Sequence, residues 1–252
     1  MKTMTRRKLI ATGIAATAGA AGLTEATRLA RRYGIAPPDC GGIYGPGETL
    51  TYAASRVLGG HAMAREFPRS MISEKPFANE VPALPDAFRK QQAEGFKDWT
   101  LSVDGLVAHP TKFTVTDLKA LGQSSQITEV ACEEGWSYIA EWIGTPLAAV
   151  LREVQVMPQA RFVAYFSVQK ILWGSIDLEE ATHSQTQLTW AMNNGDLPVG
   201  FGGPLRIRVP RQLGYKSLKY IDRITVTDSM KHFGKGLGSV DPEYGYSWYA
   251  GI

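Results

Sequence analysis

The sequence has only two cysteines, Cys40 and Cys132, so the multi-bridge framework of small secreted domains is excluded. A single bridge between them is the most that could form, and a cysteine that ligates a metal cannot also be bridged. Charge of one sign is scarce: the net is +3, with 24 acidic residues spread among 27 basic ones. That balance gives no basic tail and no case for a nucleic-acid partner. Histidine is scarce as well. His61, His109, His183 and His232 are scattered without a metal-ligand spacing, which argues against a zinc site. There is no Cys-x-x-Cys-His haem attachment, no Walker phosphate loop, no internal repeat and no low-complexity run beyond the first two dozen residues. Long apolar runs are missing too. The stretch from Leu9 to Leu23 is rich in Ala and Gly and falls short of the roughly 20 residues a spanning helix needs.

What is present at the N-terminus reads as targeting rather than structure. Thr5-Arg6-Arg7-Lys8-Leu9-Ile10 resembles a twin-arginine export signal, and Ala16-Thr17-Ala18 and Ala18-Gly19-Ala20 are small-residue patterns suited to cleavage. The expected organisation is a leader or tether over 1–23, an irregular wrap over 24–98 and a main domain over 99–252. Export by that route implies a periplasmic location, or a membrane tether if the leader stays. It also implies a protein folded around its cofactor before transport.

The body is ordinary in composition and long enough for one sizeable core. Frequent Gly and Pro punctuate short apolar runs, predicting a strand-rich α+β fold. Leu50 to Ala64 reads as a helix. Trp99, Leu101 and Val103 alternate into a strand that turns at Asp104-Gly105, and a short helix follows over Thr116–Leu121. Ile127 to Ala131 reads as a strand delivering Cys132 at its end. Thr145-Pro146 has the order of a helix cap and first turn, with Leu147, Val150, Leu151 and Val154 as the apolar face. Arg161 to Val168 and Gln187 to Met192 read as strands, the second turning at Asn193-Asn194-Gly195. Leu205, Ile207 and Val209 alternate with Arg206 and Arg208, which sends both arginines to one strand face.

Two segments carry chemistry. Cys132-Glu133-Glu134-Gly135-Trp136-Ser137 sets a thiol beside two acids, which would raise its pKa and disfavour a free nucleophile. Metal coordination removes that objection, since it deprotonates the thiol outright, and a soft thiolate suits a metal such as molybdenum. Taken alone, a lone cysteine is most often a buried structural residue. The second segment runs from Gly202 to Lys219, where Arg206, Arg208, Arg211, Lys216 and Lys219 occur with no acid between Arg206 and Lys219. Such a run is either a solvated strand face or a cradle for an anion, with glycines allowing close backbone approach.

In order along the chain, these segments resemble the sulfite oxidase superfamily, the oxidoreductase molybdopterin-binding domain. Cys132 to Ser137 matches a Cys-x-Glu-Gly/Ala-Trp-Ser segment, Trp142 to Leu147 a Trp-x-Gly-x-Pro-Leu segment and Ser175 to Leu178 a Ser-Ile-x-Leu segment. Asn194-Gly195, the Gly-x-Pro-x-Arg and Gly-Tyr-Lys-Ser-x-Lys pair at 202–219, and the close Glu243-Tyr244-Gly245-Tyr246 complete the match, over roughly residues 70–252. The resemblance implies a mixed α/β, strand-rich fold and a mononuclear molybdenum held by one molybdopterin, with Cys132 as the protein ligand. It further implies pterin contacts at Asn79, Ser167, Arg206, Lys216, Ser217 and Lys219, and an active-site tyrosine at Tyr244 or Tyr246.

The match departs in places. Phe201 stands where many members carry His or Asn, and an apolar ring donates no hydrogen bond. The Phe-Phe-x-Arg-Asn-His segment of true sulfite oxidases is absent, Phe88-Arg89 being at best a remnant, which counts against an anionic substrate. Without a haem of its own, the chain needs a separate electron-transfer partner. The outline is similar to the periplasmic methionine-sulfoxide-reductase type, whose partner is a membrane haem protein. Three readings stay open: an oxidoreductase moving an oxygen atom and two electrons on a small oxo substrate, a non-catalytic pterin- or anion-binding protein of the same fold, and a metal-free thiol enzyme.

Overall fold

The computed structural model describes Gly22, Glu25, Arg28, Ala30 and residues 36–79 and 83–252. The expected leader over 1–23 lies outside these residues apart from Gly22. The chain divides into two compact units, Met1–Gly60 and His61–Ile252. In the first, helix α1 spans Gly45–Gly59. It starts ahead of the expected Leu50 because Pro46 fits the first turn, where a helix has no use for the missing N–H. It stops at Gly59-Gly60, short of the expected Ala64.

The second unit is strand-rich. Helix α2 covers Asp86–Ala93. After it come β1 (Thr100–Gly105), β2 (Thr111–Thr114), α3 (Val115–Ala120), β3 (Ser124–Ala131), β4 (Ser137–Pro146) and α4 (Leu147–Glu153). Next are β5 (Phe162–Ser167), β6 (Trp173–Asp177), α5 (Leu178–Thr182), β7 (Gln187–Met192), β8 (Gly195–Asp196), β9 (Arg206–Arg208) and β10 (Ile221–Thr227). One sheet has the order β2-β1-β10-β5-β6; the other runs β3-β4-β7-β8, with β9 also paired to β7. Only β1 and β10 pair in parallel; the remaining pairs are antiparallel.

Local chemistry explains several boundaries. Thr114 caps α3 by accepting from the Asp117 N–H at 3.1 Å while Asp117 accepts from the Thr114 N–H at 2.8 Å, a reciprocal capping box. The expected cap at Thr145 is not one. Thr145 belongs to β4, opposite Leu188, and its hydroxyl donates to the Leu118 carbonyl at 2.7 Å, so α4 begins at Leu147 behind Pro146. The helix keeps its expected apolar face, with Leu147, Val150, Leu151 and Val154 all buried.

Both sheets and α4 feed one core. Leu101, Val103, Val163, Ile224 and Val226 come from the first sheet, Leu188 and Ile207 from the second, and Leu147, Val150 and Leu151 from α4. Each such side chain contributes about 1.5–3 kcal/mol when buried. A second cluster holds Val130, Tyr138, Ala140, Trp142, Met192 and Leu197, with Trp136 and Phe201 against it. Alternation splits β9 between the two. Ile207 enters the main core, while the guanidinium carbons of Arg206 and Arg208 lie 5.2 and 4.7 Å from the Trp142 ring centre. The segment before α2 closes the exposed edge of β3: Glu66 bridges to Thr128, the Phe67 N–H donates to Ile127 at 2.9 Å, and the Ser73 N–H reaches Ile139 of β4 at 2.9 Å.

Candidate active site

Cys132 sits one residue past β3, in a turn that hands the chain to β4. Its N–H donates to the Trp136 carbonyl at 2.9 Å, and its carbonyl accepts from Gly135 at 3.1 Å. Gly135 has φ +88°, which favours glycine at that step of the turn. The thiol donates to Glu133 Oε2 at 3.2 Å and lies 3.9 Å from Glu134 Oε2, which in turn accepts from Trp136 Nε1 at 2.7 Å. Burial pushes the Cys132 thiol up to about 12; the Glu134 backbone N–H opposes this, and the two carboxylates add to it. That shift lowers the thiolate population near neutral pH, which disfavours Cys132 as a free nucleophile.

The basic segment meets this turn through Gly214. A Cβ on Gly214 would stand 3.3 Å from the Ala131 carbonyl oxygen and 3.6 Å from the Cys132 Cα, so glycine lets the 214–219 turn seat close against the cysteine. Beneath it, Arg206 donates from one Nη to the Phe201 carbonyl at 2.8 Å and from the other to Ser217. Arg208 donates to Ser217 Oγ at 3.1 Å and to Thr128 Oγ1 and the Glu129 carbonyl at 3.3 and 3.1 Å. Lys219 Nζ bridges the Asn79 and Gly200 carbonyls at 3.0 and 2.7 Å.

These cations are poorly compensated. Burial holds Arg206 below its usual range, though Tyr138 favours its charge. Arg208 is brought to about 9 and Lys219 to about 7, each by burial first and then by Arg206. Among the described residues, no carboxylate is among the groups acting on the three. Both arginines are at least 97% buried, and the Nε of each has no hydrogen-bond partner among the described residues. A buried donor left in that state costs about 1–3 kcal/mol, so the arrangement calls for an anion or polar acceptor.

One cleft, about 690 Å³ with its open mouth included, brings Asn79, Cys132, Arg206, Ser217 and Lys219 together. It also includes Glu133, one of the two acids beside the thiol, and Tyr138, Gln169, Tyr215 and Asp241, none of which the sequence marked as a site residue. Tyr138 was within reach, since Tyr138, Ala140 and Trp142 keep a period of two. Asp241 was not, because it arrives from a C-terminal turn far along the chain. Four expected site residues do not line the cleft. Lys216 is fully buried and donates to the Ser175 carbonyl at 3.1 Å, 5.0 Å from the Trp248 ring centre. The buried Ser167 hydroxyl accepts from the Gln169 N–H at 3.3 Å, a step behind the lining. Tyr244 is 79% exposed, and Tyr246 touches the site only through Tyr215, at a ring separation of 5.6 Å. Phe201 packs its ring edge-on against Tyr138 at 5.7 Å and turns its carbonyl to Arg206.

Among the described residues no three His, Cys, Asp or Glu side chains gather as a metal site. A metal at Cys132 would therefore draw its other donors from a cofactor. A soft thiolate and cations with unmet donors in one cleft fit a metal carried on a phosphorylated pterin.

Residues 88–233, more than half of the chain, match the oxidoreductase molybdopterin binding domain, and the chain belongs to that family. Among its relatives is the putative protein-methionine-sulfoxide reductase subunit YedZ1 of Azospira oryzae, 36% identical over 189 residues that cover 75% of this chain and 68% of that one. The protein-methionine-sulfoxide reductase catalytic subunit MsrP of Ralstonia nicotianae is 31% identical over 163 residues, covering 59% and 49%. A solved structure, the sulfane dehydrogenase SoxCD from Paracoccus pantotrophus, shares the fold with a TM-score of 0.50 at 21% identity. It covers 68% of this chain and 46% of its own. The chain thus spans about half the length of the Ralstonia relative and of the solved structure.

Proposed function

We propose that this chain is the molybdenum- and molybdopterin-bearing subunit of an exported enzyme that reduces sulfoxides. The balance is R₂SO + 2H⁺ + 2e⁻ → R₂S + H₂O, with electrons supplied by a separate redox protein. The observation that carries the reading is the pairing in one cleft of a lone thiol with buried cations on which no carboxylate of the described residues acts. When bound, the cofactor supplies the two-electron oxygen-atom chemistry. Cys132 Sγ is assigned as its protein ligand, and Arg206, Ser217, Lys219 and Asn79 hold its pterin and phosphate end. Lys216 and Ser167 support that end from behind, Lys216 through Ser175 and Ser167 through Gln169. Tyr246 is assigned to the rim beside Tyr215, which makes it a better candidate for meeting substrate than the outlying Tyr244.

Two relatives are named as methionine-sulfoxide reductase subunits, which favours a sulfoxide substrate and a partner subunit; a membrane haem protein as that electron partner rests on the family resemblance alone. Export rests on the Thr5–Ile10 motif. Among the described residues no helix is long and apolar enough to cross a membrane. The test is elemental analysis of protein made in a pterin-competent host, together with sulfoxide reduction from an artificial donor. About one molybdenum per chain is expected, falling to near zero in Cys132→Ser. Wild-type protein without molybdenum would overturn the reading. Metal retention without turnover of any sulfoxide would favour the non-catalytic binding protein instead.

A further inference from the structure

The cleft is electrically divided. Its cations, Arg206 and Lys219, are held by backbone carbonyls, and among the described residues no carboxylate acts on either. Cys132 instead has carboxylates beside it. Glu133 lines the cleft with Oε2 3.2 Å from the sulfur, and Glu134 stands behind, fixed by Trp136. Asp241 lines the cleft from the C-terminal turn; its Oδ2 accepts from Ser239 at 2.9 Å. Burial pushes the Asp241 carboxyl up, Lys216 opposes this and Glu133 adds a smaller push; Lys216 is itself fully buried and absent from the lining. Arg206 is 97% buried, lines the same cleft and has an Nε without a partner among the described residues, so the cations independently call for an anion. Once a bound anion neutralises Arg206 and Lys219, the charged side chains left in the lining are Glu133 and Asp241. Trp136, Tyr138 and Tyr215 line the same space, and their ring faces attract cations and sulfur alike.

We propose that Glu133 and Asp241 make the cleft selective by charge, admitting uncharged sulfoxides flanked by cationic groups and rejecting anions. The inference rests on the reading above and narrows it to a peptide or small-molecule sulfoxide with lysine- or arginine-like neighbours. It gives Glu133 and Asp241 a specificity role; Asp241 lies outside the family match, which ends at residue 233. The physical cause is Coulombic: like charges within a few ångströms in a partly dehydrated cleft repel far more strongly than in bulk water, and the effect weakens with salt.

The test uses the molybdenum-loaded chain and pentapeptides with a central methionine sulfone, a non-reducible stand-in for the sulfoxide, flanked by lysine, glycine or glutamate. Binding is read from tryptophan fluorescence, since Trp136 lines the cleft. At low salt the lysine peptide should bind at least about tenfold more tightly than the glutamate peptide, with glycine between, and 0.5 M salt should compress the spread. Glu133→Gln should shrink the spread about threefold and Glu133→Gln with Asp241→Asn should nearly abolish it. If Asp241→Asn fails to fold beside Lys216, the Glu133→Gln arm and the salt series still decide. Equal binding of the lysine and glutamate peptides in the wild type, or a spread undiminished in Glu133→Gln, would overturn the proposal. The matching sulfoxide peptides separate the two claims: charge-ordered binding with no reduction of any sulfoxide removes the proposed reaction and leaves charge selection standing.

Discussion

Lys219 offers a direct test of the uncompensated cations beneath the cleft. Its ammonium is pushed down to about 7 by burial and then by Arg206, whereas an unfolded lysine titrates near ~10.4. Between those values the unfolded chain holds a proton that the folded chain has released, so stability rises with pH across the window. Below about 7 both states are protonated and the full cost of the crowded charge is present. Above ~10.4 both are neutral and that cost is gone. Arg208, brought to about 9, has the same sign but enters only at higher pH. Cys132, pushed up to about 12, opposes both once an unfolded cysteine ionises, above ~8.5. The clean interval is therefore pH 7 to 8.5. At about 1.4 kcal/mol per pH unit that interval is worth about 2 kcal/mol, which we discount to about 1 because Lys219 is only partly buried. The assay is urea denaturation of the cofactor-free chain across that interval, for wild type and Lys219→Met. The wild type should gain about 1 kcal/mol on the variant as pH rises. Parallel curves would refute the reading of Lys219 as a poorly compensated charge.

Three further outcomes follow from other contacts. Glu180→Gln should cost about 3–5 kcal/mol in urea denaturation, because it removes the buried carboxylate that lies 2.9 Å from Arg211 Nη2, with both side chains almost wholly buried; a loss under about 1 kcal/mol would contradict this. Gly202→Ala should lower stability by about 1–3 kcal/mol and reduce molybdenum content, since Gly202 has φ +106° and a Cβ there would stand 3.0 Å from the Lys219 Cβ and 3.1 Å from that of Arg206. In the cofactor-free chain at pH 8, Cys132 should react with iodoacetamide about 10³-fold more slowly than an unperturbed thiol. Glu133→Gln should restore little of that rate, because burial is the leading cause of the shift; recovery to the rate of a free thiol would refute the ordering of causes.

Much of the framework was legible because its signals are local. The strand over Gln187–Met192 and the strand leading into Cys132 follow from a period of two, and the face of α4 from a period near 3.6. The sequence misplaced Thr145 because cap-then-proline is a local pattern, and sheet pairing with Leu188 outweighed it. Of the site, Cys132, Arg206 and Lys219 stood out by residue type and spacing, and Ser217 and Asn79 by resemblance; all five line the cleft. Lys216 lay in the same basic run but turns inward to Ser175. No count of charges along a chain reveals which lysine of a tight turn faces the ligand. Asp241 had no local signal at all, because its meaning depends on Glu133, more than a hundred residues earlier.

The same alternation that made Arg206 and Arg208 visible also explains why they are not a solvated strand face. Ile207 between them is held in the main core, so both guanidinium groups are carried to the opposite side of β9, over Trp142. There, β3 supplies Thr128 and Glu129 as acceptors for Arg208, and the loop before β9 supplies the Phe201 carbonyl for Arg206. Phe201 thus does through its backbone part of what its side chain cannot, fixing the arginine that lines the cleft while its ring closes the aromatic cluster against Tyr138. A histidine or asparagine at 201 could donate directly to a ligand, whereas phenylalanine leaves orientation to Arg206, Ser217 and Lys219. Replacing Phe201 by asparagine should therefore loosen the packing around Tyr138 without being required for anion retention. That division separates the part of the cleft proposed to grip a cofactor from the part where Glu133 and Asp241 are proposed to meet substrate.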